Sequence, residues 1–233
     1  MLRRALWTLL TLAALALLVI GAGYAYISHP TLEHNPLPGA LIDGGSPAGQ
    51  ALESSAIKAD LPALRAALQP QEKRSWCGVA SAATALSALR GAPLSQSELL
   101  RTSGASWFKV SFTGMSLDTL ATILVENGAR AEAVHASDAT VEGFRAALDR
   151  DLADPADALL VNYDRRGLGQ RGGGHISPIG AWDPASDRVL ILDVSTLRYP
   201  PVWVDTTTLF AAMGGIDPGS GLSRGWVELR LAP

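Results

Sequence analysis

Gly174-His175-Ile176-Ser177-Pro178-Ile179-Gly180-Ala181-Trp182-Asp183-Pro184-Ala185-Ser186-Asp187-Arg188-Val189-Leu190-Ile191-Leu192-Asp193-Val194 is the stretch that decides how the chain is read. Two apolar runs flank Asp183-Pro184-Ala185-Ser186-Asp187, a turn composition in which proline presets φ while aspartate and serine bond their own backbone. The pattern is an antiparallel hairpin, with strands expected over residues 175–182 and 189–194. The midpoint of His175 and Asp193 is residue 184, inside the turn, so the two side chains are expected directly opposite each other. Opposed residues share one face of the ladder with Cβ atoms about 5 Å apart, close enough for a carboxylate to hold one imidazole nitrogen. Gly172-Gly173-Gly174 leaves the backbone ahead of the histidine bare and open to close approach from above the ring.

Working outward, further strands are expected at residues 131–135, 158–163 and 226–231, with helices at 138–152 and 205–213. Before residue 130 the apolar spacing changes to the helical period, predicting helices at 56–68, 77–89, 95–102 and 116–127. Ser95 and Glu98 form a capping box for the third; Ser116 caps the fourth and Gly128 stops it. Helices first and antiparallel strands later argue for an α+β domain of two lobes, a helical N-terminal lobe and an antiparallel β-sheet C-terminal lobe, with a groove between them.

At the N-terminus, Arg3 and Arg4 precede an apolar run from about residue 5 to residue 27, and the next charged side chain is Glu33. Helical residues at ~1.5 Å each make such a run long enough for the ~30 Å hydrocarbon layer, and longer than the ~7–15 residues of a signal-peptide core. Residues 1–28 are therefore expected to be a membrane anchor or signal segment. Arginines ahead of the helix place the N-terminus in the cytoplasm and the remainder outside it, on the periplasmic side of an inner or plasma membrane. Cleavage near Gly23 or Ala25 would instead give a soluble exported form. Residues 29–50, broken by Pro30, Pro36, Pro38, Gly39, Gly44, Gly45 and Pro47, read as a linker without regular structure, and residues 51–233 as one folded domain.

Composition narrows the function. Hydrophobic residues are 48% of the 233 and charged ones 18%, which supplies a core and excludes a disordered chain. Setting Arg3 and Arg4 aside leaves 17 basic against 22 acidic groups, a formal charge of −5, and no basic stripe that nucleic acid would require. Cys77 is the single cysteine, so intrachain disulfides and paired-cysteine zinc sites are excluded and no metal site is expected. The dinucleotide-type spacing Gly167, Gly169, Gly172 lacks a following helix, and Gly221-Leu222-Ser223-Arg224-Gly225 lacks the strand, helix and later histidine of a hydrolase elbow. His29 and His34, in the linker, read as solvent-exposed.

Cys77 opens the helix Cys77-Gly78-Val79-Ala80-Ser81-Ala82-Ala83-Thr84-Ala85-Leu86, where unpaired N–H groups and the positive dipole end lower a thiol pKa. Small residues after it suit a buried packing thiol equally well, so position alone leaves both readings open.

Ser75-Trp76-Cys77-Gly78-Val79-Ala80-Ser81, Gly174-His175-Ile176-Ser177-Pro178-Ile179-Gly180, and Val189-Leu190-Ile191-Leu192-Asp193-Val194 followed by Tyr199-Pro200-Pro201-Val202-Trp203-Val204 resemble the signature blocks of phytochelatin synthases. These are papain-like cysteine enzymes acting on glutathione, and the likeness runs in order from about residue 69 to residue 231. The resemblance implies a papain-like fold, Cys77 as nucleophile, His175 as general base and acid, Asp193 as the group orienting the histidine, and Gln71 in the oxyanion hole. It also implies that Asp217 and Arg224 hold the γ-glutamyl amino and carboxylate groups of the donor. The implied reaction cleaves the Cys–Gly bond through a γ-glutamylcysteinyl thioester, which passes mainly to water and in part to a second glutathione to make phytochelatin. No cofactor is required on this reading; a thiophilic divalent metal such as cadmium or zinc would enter as a metal–glutathione complex, which connects the activity to metal detoxification.

The sequence departs from the family in a shorter span between Cys77 and His175, in Ser195-Thr196 where alanine and arginine are typical, and in ending soon after the catalytic blocks. With no further thiols, metal sensing by the protein itself is not expected. Another papain-like peptidase acting on exported peptides, or a catalytically silent binding module, are the alternatives. The oligomeric state is not legible.

Overall fold

The computed structural model describes residues 2–232; Met1 and Pro233, the outer ends of the expected anchor and catalytic segments, lie outside the described residues. In chain order the elements are α1 (Leu2–Ser28), β1 (Ile42–Asp43), α2 (Pro47–Ser55), α3 (Leu61–Ala67), α4 (Cys77–Arg90), α5 (Gln96–Thr102), α6 (Trp107–Thr113), α7 (Leu117–Glu126), β2 (Ala129–His135), α8 (Val141–Asp151), β3 (Asp157–Asp164), β4 (Gly174–Asp183), β5 (Arg188–Ile191), β6 (Val202–Asp205), α9 (Thr206–Met213) and β7 (Gly225–Leu231). Short 3-10 turns at Ala136–Asp138 and Arg165–Leu168 precede α8 and follow β3. The α+β class holds: helices gather in the first half, and a fully antiparallel sheet ordered β1-β6-β5-β4-β3-β7-β2 carries the second.

Both faces of the sheet are covered, which is why its strands read as near-continuous apolar runs. Alternate residues point to opposite layers. Leu160, Ile176, Leu190, Trp203 and Val227 face α3, α4 and α7, whereas Leu159, Val161, Ile179, Val189, Val204 and Trp226 face α8 and α9. Each fully buried Leu, Val or Phe in those layers contributes about 1.5–3 kcal/mol relative to exposure.

Several expectations meet the structure closely. The helices read at 77–89, 95–102 and 116–127 are α4, α5 and α7, and the Ser95 and Ser116 hydroxyls accept the Glu98 and Thr119 N–H groups. Others are corrected. The helix expected over 56–68 exists only as α3, because Ile57 is bonded to Trp182 as an isolated bridge and Pro62, in the first turn, sets a new start after Asp60. The stretch read as having no regular structure contains β1, paired with β6, and the start of α2, capped by Ser46 with Pro47 at its first position. It is also fastened to the sheet domain, since Leu41 is buried and the Asn35 N–H donates to the Arg198 carbonyl at 3.2 Å.

Asp60 sits where α3 begins, 2% exposed, with neither carboxylate oxygen bonded to a partner. Burial first, and then the neighbouring Asp151 and Asp157 charges, push its pKa up to about 8.

The β4–β5 hairpin closes on Pro184–Asp187 as expected, with Asp187 in the left-handed region at φ 52° and held by Arg145 at 2.6 Å. The register differs from the expectation. Asp183 pairs with Arg188 and Ala181 with Leu190, but a bulge at Gly180 shifts the ladder so that Ile179 pairs with Ile191. Continuing that register sets Asp193 across from Ser177 rather than His175, and β5 has ended by then. His175 and Asp193 meet diagonally, two residues offset on the same face.

Candidate active site

Cys77 is the first residue of α4, the helix that packs on β4, and its half-buried thiol is held against the strand bearing His175. Ser81, one turn on, donates its hydroxyl to the Ile176 carbonyl at 3.0 Å and stitches helix to strand beside the thiol. Gly78 permits this approach: a Cβ there would come within 3.0 Å of the Ile176 side chain and closer still to Met115.

The imidazole is 4% exposed and edge-on to Tyr163, its direct partner on β3, with ring centroids 5.8 Å apart. Nε2 lies 2.9 Å from Asp193 Oδ1 and 3.0 Å from Ser177 Oγ, leaving Nδ1 as the ring nitrogen available to the Cys77 thiol, which lines the same cleft. Asp193 is fully buried and accepts the Ser195 N–H at 2.8 Å as well.

Sequence reasoning missed the next group. Arg165, 2% exposed, begins the turn after β3 and reaches both Asp193 oxygens, at 2.9 and 2.7 Å, while its other amino group donates to Gln170 Oε1 at 2.7 Å. Tyr199 lies beneath its guanidinium, 5.0 Å from ring centroid to charge. An arginine ten residues before the histidine carries no sequence mark of burial; pairing of β3 with β4 across Tyr163 and His175 is the only signal that would have placed it.

The charges are mutually supporting. Burial pushes the Cys77 thiol up, but the hydrogen bond and charge of His175, the Ile176 backbone and Arg165 outweigh it and lower its pKa. Burial and Arg165 depress His175, and Asp193 together with Cys77 more than reverses this and raises it. Asp193 is buried, which opposes ionisation, yet the His175 and Arg165 charges hold it well below the ordinary carboxylate range. The arrangement favours a thiolate–imidazolium pair backed by a buried carboxylate–guanidinium pair.

Cys77 and His175 open into a cleft of about 460 Å³, within the ~300–1,000 Å³ of small-molecule sites. Gln71, Asp217 and Arg224 line the same cleft. Gln71 is 5% exposed, and its side-chain amide already donates to the Lys73 and Arg74 carbonyls, at 2.9 and 2.8 Å. An oxyanion would therefore compete for those hydrogens, whereas the Cys77 N–H, in the first turn of α4, has no intrahelical partner. Arg224 pairs with Asp217 at 3.4 Å and donates to Asn162 Oδ1 at 3.1 Å. The bare backbone before His175 is the bed for this arginine, since a Cβ on Gly174 would stand 2.7 Å from its Cζ. Arg74, Arg166 and Arg198 also border the cleft, giving it an excess of cations over the single carboxylate of Asp217.

Among the described residues, no three His, Cys, Asp or Glu side chains are grouped to hold a metal ion. Ser223 is structural: its hydroxyl accepts the Ser137 N–H at 3.0 Å and a strand follows it. His29 and His34 are exposed.

The family model described as phytochelatin synthase matches residues 32–226. Glutathione gamma-glutamylcysteinyltransferase 3 of Lotus japonicus is 34% identical over 180 residues, covering 71% of this chain and 37% of that protein. Glutathione gamma-glutamylcysteinyltransferase 1 of Triticum aestivum is 34% identical over 167 residues, covering 68% and 33%. The glutathione gamma-glutamylcysteinyltransferase of Schizosaccharomyces pombe is 32% identical over 116 residues, covering 50% and 28%. Among solved structures, the peptidase domain of Streptococcus ComA, a bi-functional ABC transporter involved in a quorum sensing pathway, aligns at 14% identity and a TM-score of 0.47 over 71% of this chain and 98% of that domain. The chain spans about a third of the length of the first two of these curated relatives. A family match that embraces Cys77, His175, Asp193 and the cleft around them leads to one conclusion: the chain belongs to the phytochelatin synthase family.

Proposed function

We propose that the chain is a cysteine enzyme that cleaves the Cys–Gly amide of glutathione and carries the γ-glutamylcysteinyl group on Cys77. The observation that carries this reading is the Cys77–His175 pair, backed by buried Asp193 and Arg165 and opening into a cationic cleft. Glutathione has two carboxylates and one ammonium, so a cleft with several arginines and one aspartate matches its charge. Arg224 is the partner for the γ-glutamyl carboxylate and Asp217 for its ammonium.

The Cys77 thiolate attacks the carbonyl carbon between cysteine and glycine, and the oxyanion is met by the Cys77 N–H and, once one of its backbone bonds yields, by Gln71. The His175 imidazolium gives its proton to the glycine nitrogen, the C–N bond breaks, glycine leaves and a thioester remains. Asp193 fixes the ring through Nε2 throughout. Water, deprotonated by His175, then attacks the thioester and releases γ-glutamylcysteine; the amino group of a second glutathione in its place gives phytochelatin. Hydrolysis is the main outcome, because water needs no aligned site and an acceptor at millimolar concentration does. Cadmium or zinc enters as a bis-glutathione complex that delivers the acceptor, which links the enzyme to metal detoxification. Residues 1–28 anchor it in the membrane, with residues 29–50 joining the anchor to a catalytic domain of residues 51–233 outside the cytoplasm.

Incubating the full chain with glutathione tests the proposal. Glycine and γ-glutamylcysteine should appear together and vanish with Cys77→Ala. Release of glutamate in place of glycine, or unchanged glutathione, refutes it.

A further inference from the structure

Helix α6 turns an aromatic face outward. Phe108 and Phe112, four residues apart, stack with ring centroids 4.7 Å apart and are 66% and 53% exposed. The other side of α6 is already in the core, where Val110 is 3% exposed. An amphipathic surface helix has one apolar face to bury; α6 has a second left over.

Its position says what covers that face. Ser75 Oγ donates to the Ser111 carbonyl at 2.6 Å and Trp76 Nε1 to Ser111 Oγ at 3.0 Å, so α6 is fixed to the loop before α4. In the same loop Arg74 lies over the Tyr26 ring at 3.9 Å and donates to the Tyr26 carbonyl at 3.4 Å. Tyr26 is near the end of α1, against which α6 also packs, and Leu9–Ser28 is the stretch long and apolar enough to cross a membrane. Tyr24 and Tyr26 are exposed there, as interfacial aromatics are. Exposed Lys109 stands between the two phenylalanines in sequence, with a stem long enough to reach lipid phosphates.

We infer that Phe108 and Phe112 seat in the interfacial layer of the lipid bilayer beside the outer end of α1, so that the cleft, one wall of which is Phe112, opens at headgroup level. The inference rests on reading α1 as a retained membrane span. A second copy of the chain fits less well. Two phenylalanine side chains offer roughly 300–500 Å², well short of the ~800 Å² per partner of a stable interface.

The test uses the full chain with Cys77→Ser and single cysteines placed by Val19→Cys, Phe108→Cys, Phe112→Cys or Val125→Cys. Each is nitroxide-labelled and reconstituted in phosphatidylcholine–phosphatidylglycerol vesicles. Labels at 108 and 112 should collide readily with oxygen, and with a nickel complex roughly an order of magnitude less than the label at 125, because a polar complex is excluded from the apolar layer. In the unsubstituted chain, a phosphatidylcholine with a photoreactive acyl chain should crosslink to peptides of α6. Labels at 108 and 112 as nickel-accessible as 125, beside a buried label at 19, overturn this inference alone. A nickel-accessible label at 19 overturns the anchor reading along with it. Spin–spin broadening between copies at 112 assigns the face to a second chain and also overturns it.

Discussion

Replacing Asp193 with asparagine separates two jobs that the carboxylate does at once. Asparagine keeps the shape, and its Oδ1 still accepts the Ser195 N–H and meets the imidazole. It leaves Arg165, 2% exposed and 2.7–2.9 Å from the carboxylate, with no counter-charge. Removing one partner from a buried ion pair costs ~3–5 kcal/mol, mostly from the charge left stranded. At about 2–4 °C per kcal/mol for a chain of this size, Asp193→Asn should lower Tm by roughly 6–20 °C. Arg165→Met combined with Asp193→Asn strands no charge and should recover at least about half of that loss. Catalysis should not recover in step: the double variant lacks both the carboxylate that raises His175 and the guanidinium that helps lower Cys77, so alkylation of Cys77 at neutral pH stays slow. Thermal melts followed by tryptophan fluorescence, with iodoacetamide rates on the same samples, supply both readouts. An Asp193→Asn variant as stable as the parent, or a double variant no better than the single, refutes the stranded-charge account.

Cys77 is the one thiol, so Cys77→Ser should abolish both glycine release and the mass shift of a trapped dipeptidyl adduct, by intact-mass spectrometry. The alkylation rate of wild-type Cys77 should stay high well below the pH where a free thiol loses reactivity, falling only as the thiolate of the pair is protonated. Gly174→Ala puts a methyl group where the Arg224 guanidinium rests; because the end of a flexible side chain can yield, KM for glutathione should rise about tenfold with Tm nearly unchanged. An unchanged KM would remove Arg224 from the site. Asp60 has a folded-state pKa of about 8 against an ordinary 3.8, so its contribution is intact at low pH and lost as pH rises between those values, by up to ~1.4 kcal/mol per unit. Asp60→Asn should therefore stabilise the protein more at pH about 8 than at about 5, read by paired melts.

The helices and strands that the sequence marks clearly are those whose apolar residues serve one layer. Where an element is short or faces two ways, the pattern fails. Helix α6 has Val110 inside and Phe108 and Phe112 outside, so its apolar residues define no single stripe. Strand β6 is four residues long and follows Tyr199-Pro200-Pro201, which reads as a break. The hairpin was legible from its turn, but the ladder closes on Asp183 and Arg188, which would set Asp193 across from Pro178, and only the extra residue at Gly180, invisible to an argument from midpoints, brings Asp193 across from Ser177 and onto the face of His175. The cysteine, histidine and aspartate could be named before the fold was known. Arg165 could not, because nothing in a sequence distinguishes an arginine in solvent from one sealed against a carboxylate.

Thirteen residues, 29–41, lie between α1 and β1, and they are not slack: Thr31 lines the cleft and Glu33 pairs with Arg171 and Arg198 at 3.6 and 3.3 Å. Three residues of extended chain reach at most ~11 Å, so on the proposed reading of α1 as a retained span the cleft stands about one Debye length, ~8–10 Å at physiological salt, from the bilayer surface. An anionic leaflet at about −30 mV is felt at that distance at roughly a third of its surface value, which depletes monovalent anions and enriches protons by about 1.5-fold. On the proposed function, glutathione would then reach the cleft somewhat below its bulk concentration and at a pH lower by about 0.2 unit, conditions under which a thiolate already stabilised by His175 and Arg165 keeps its charge and an ordinary cysteine would lose what little it has.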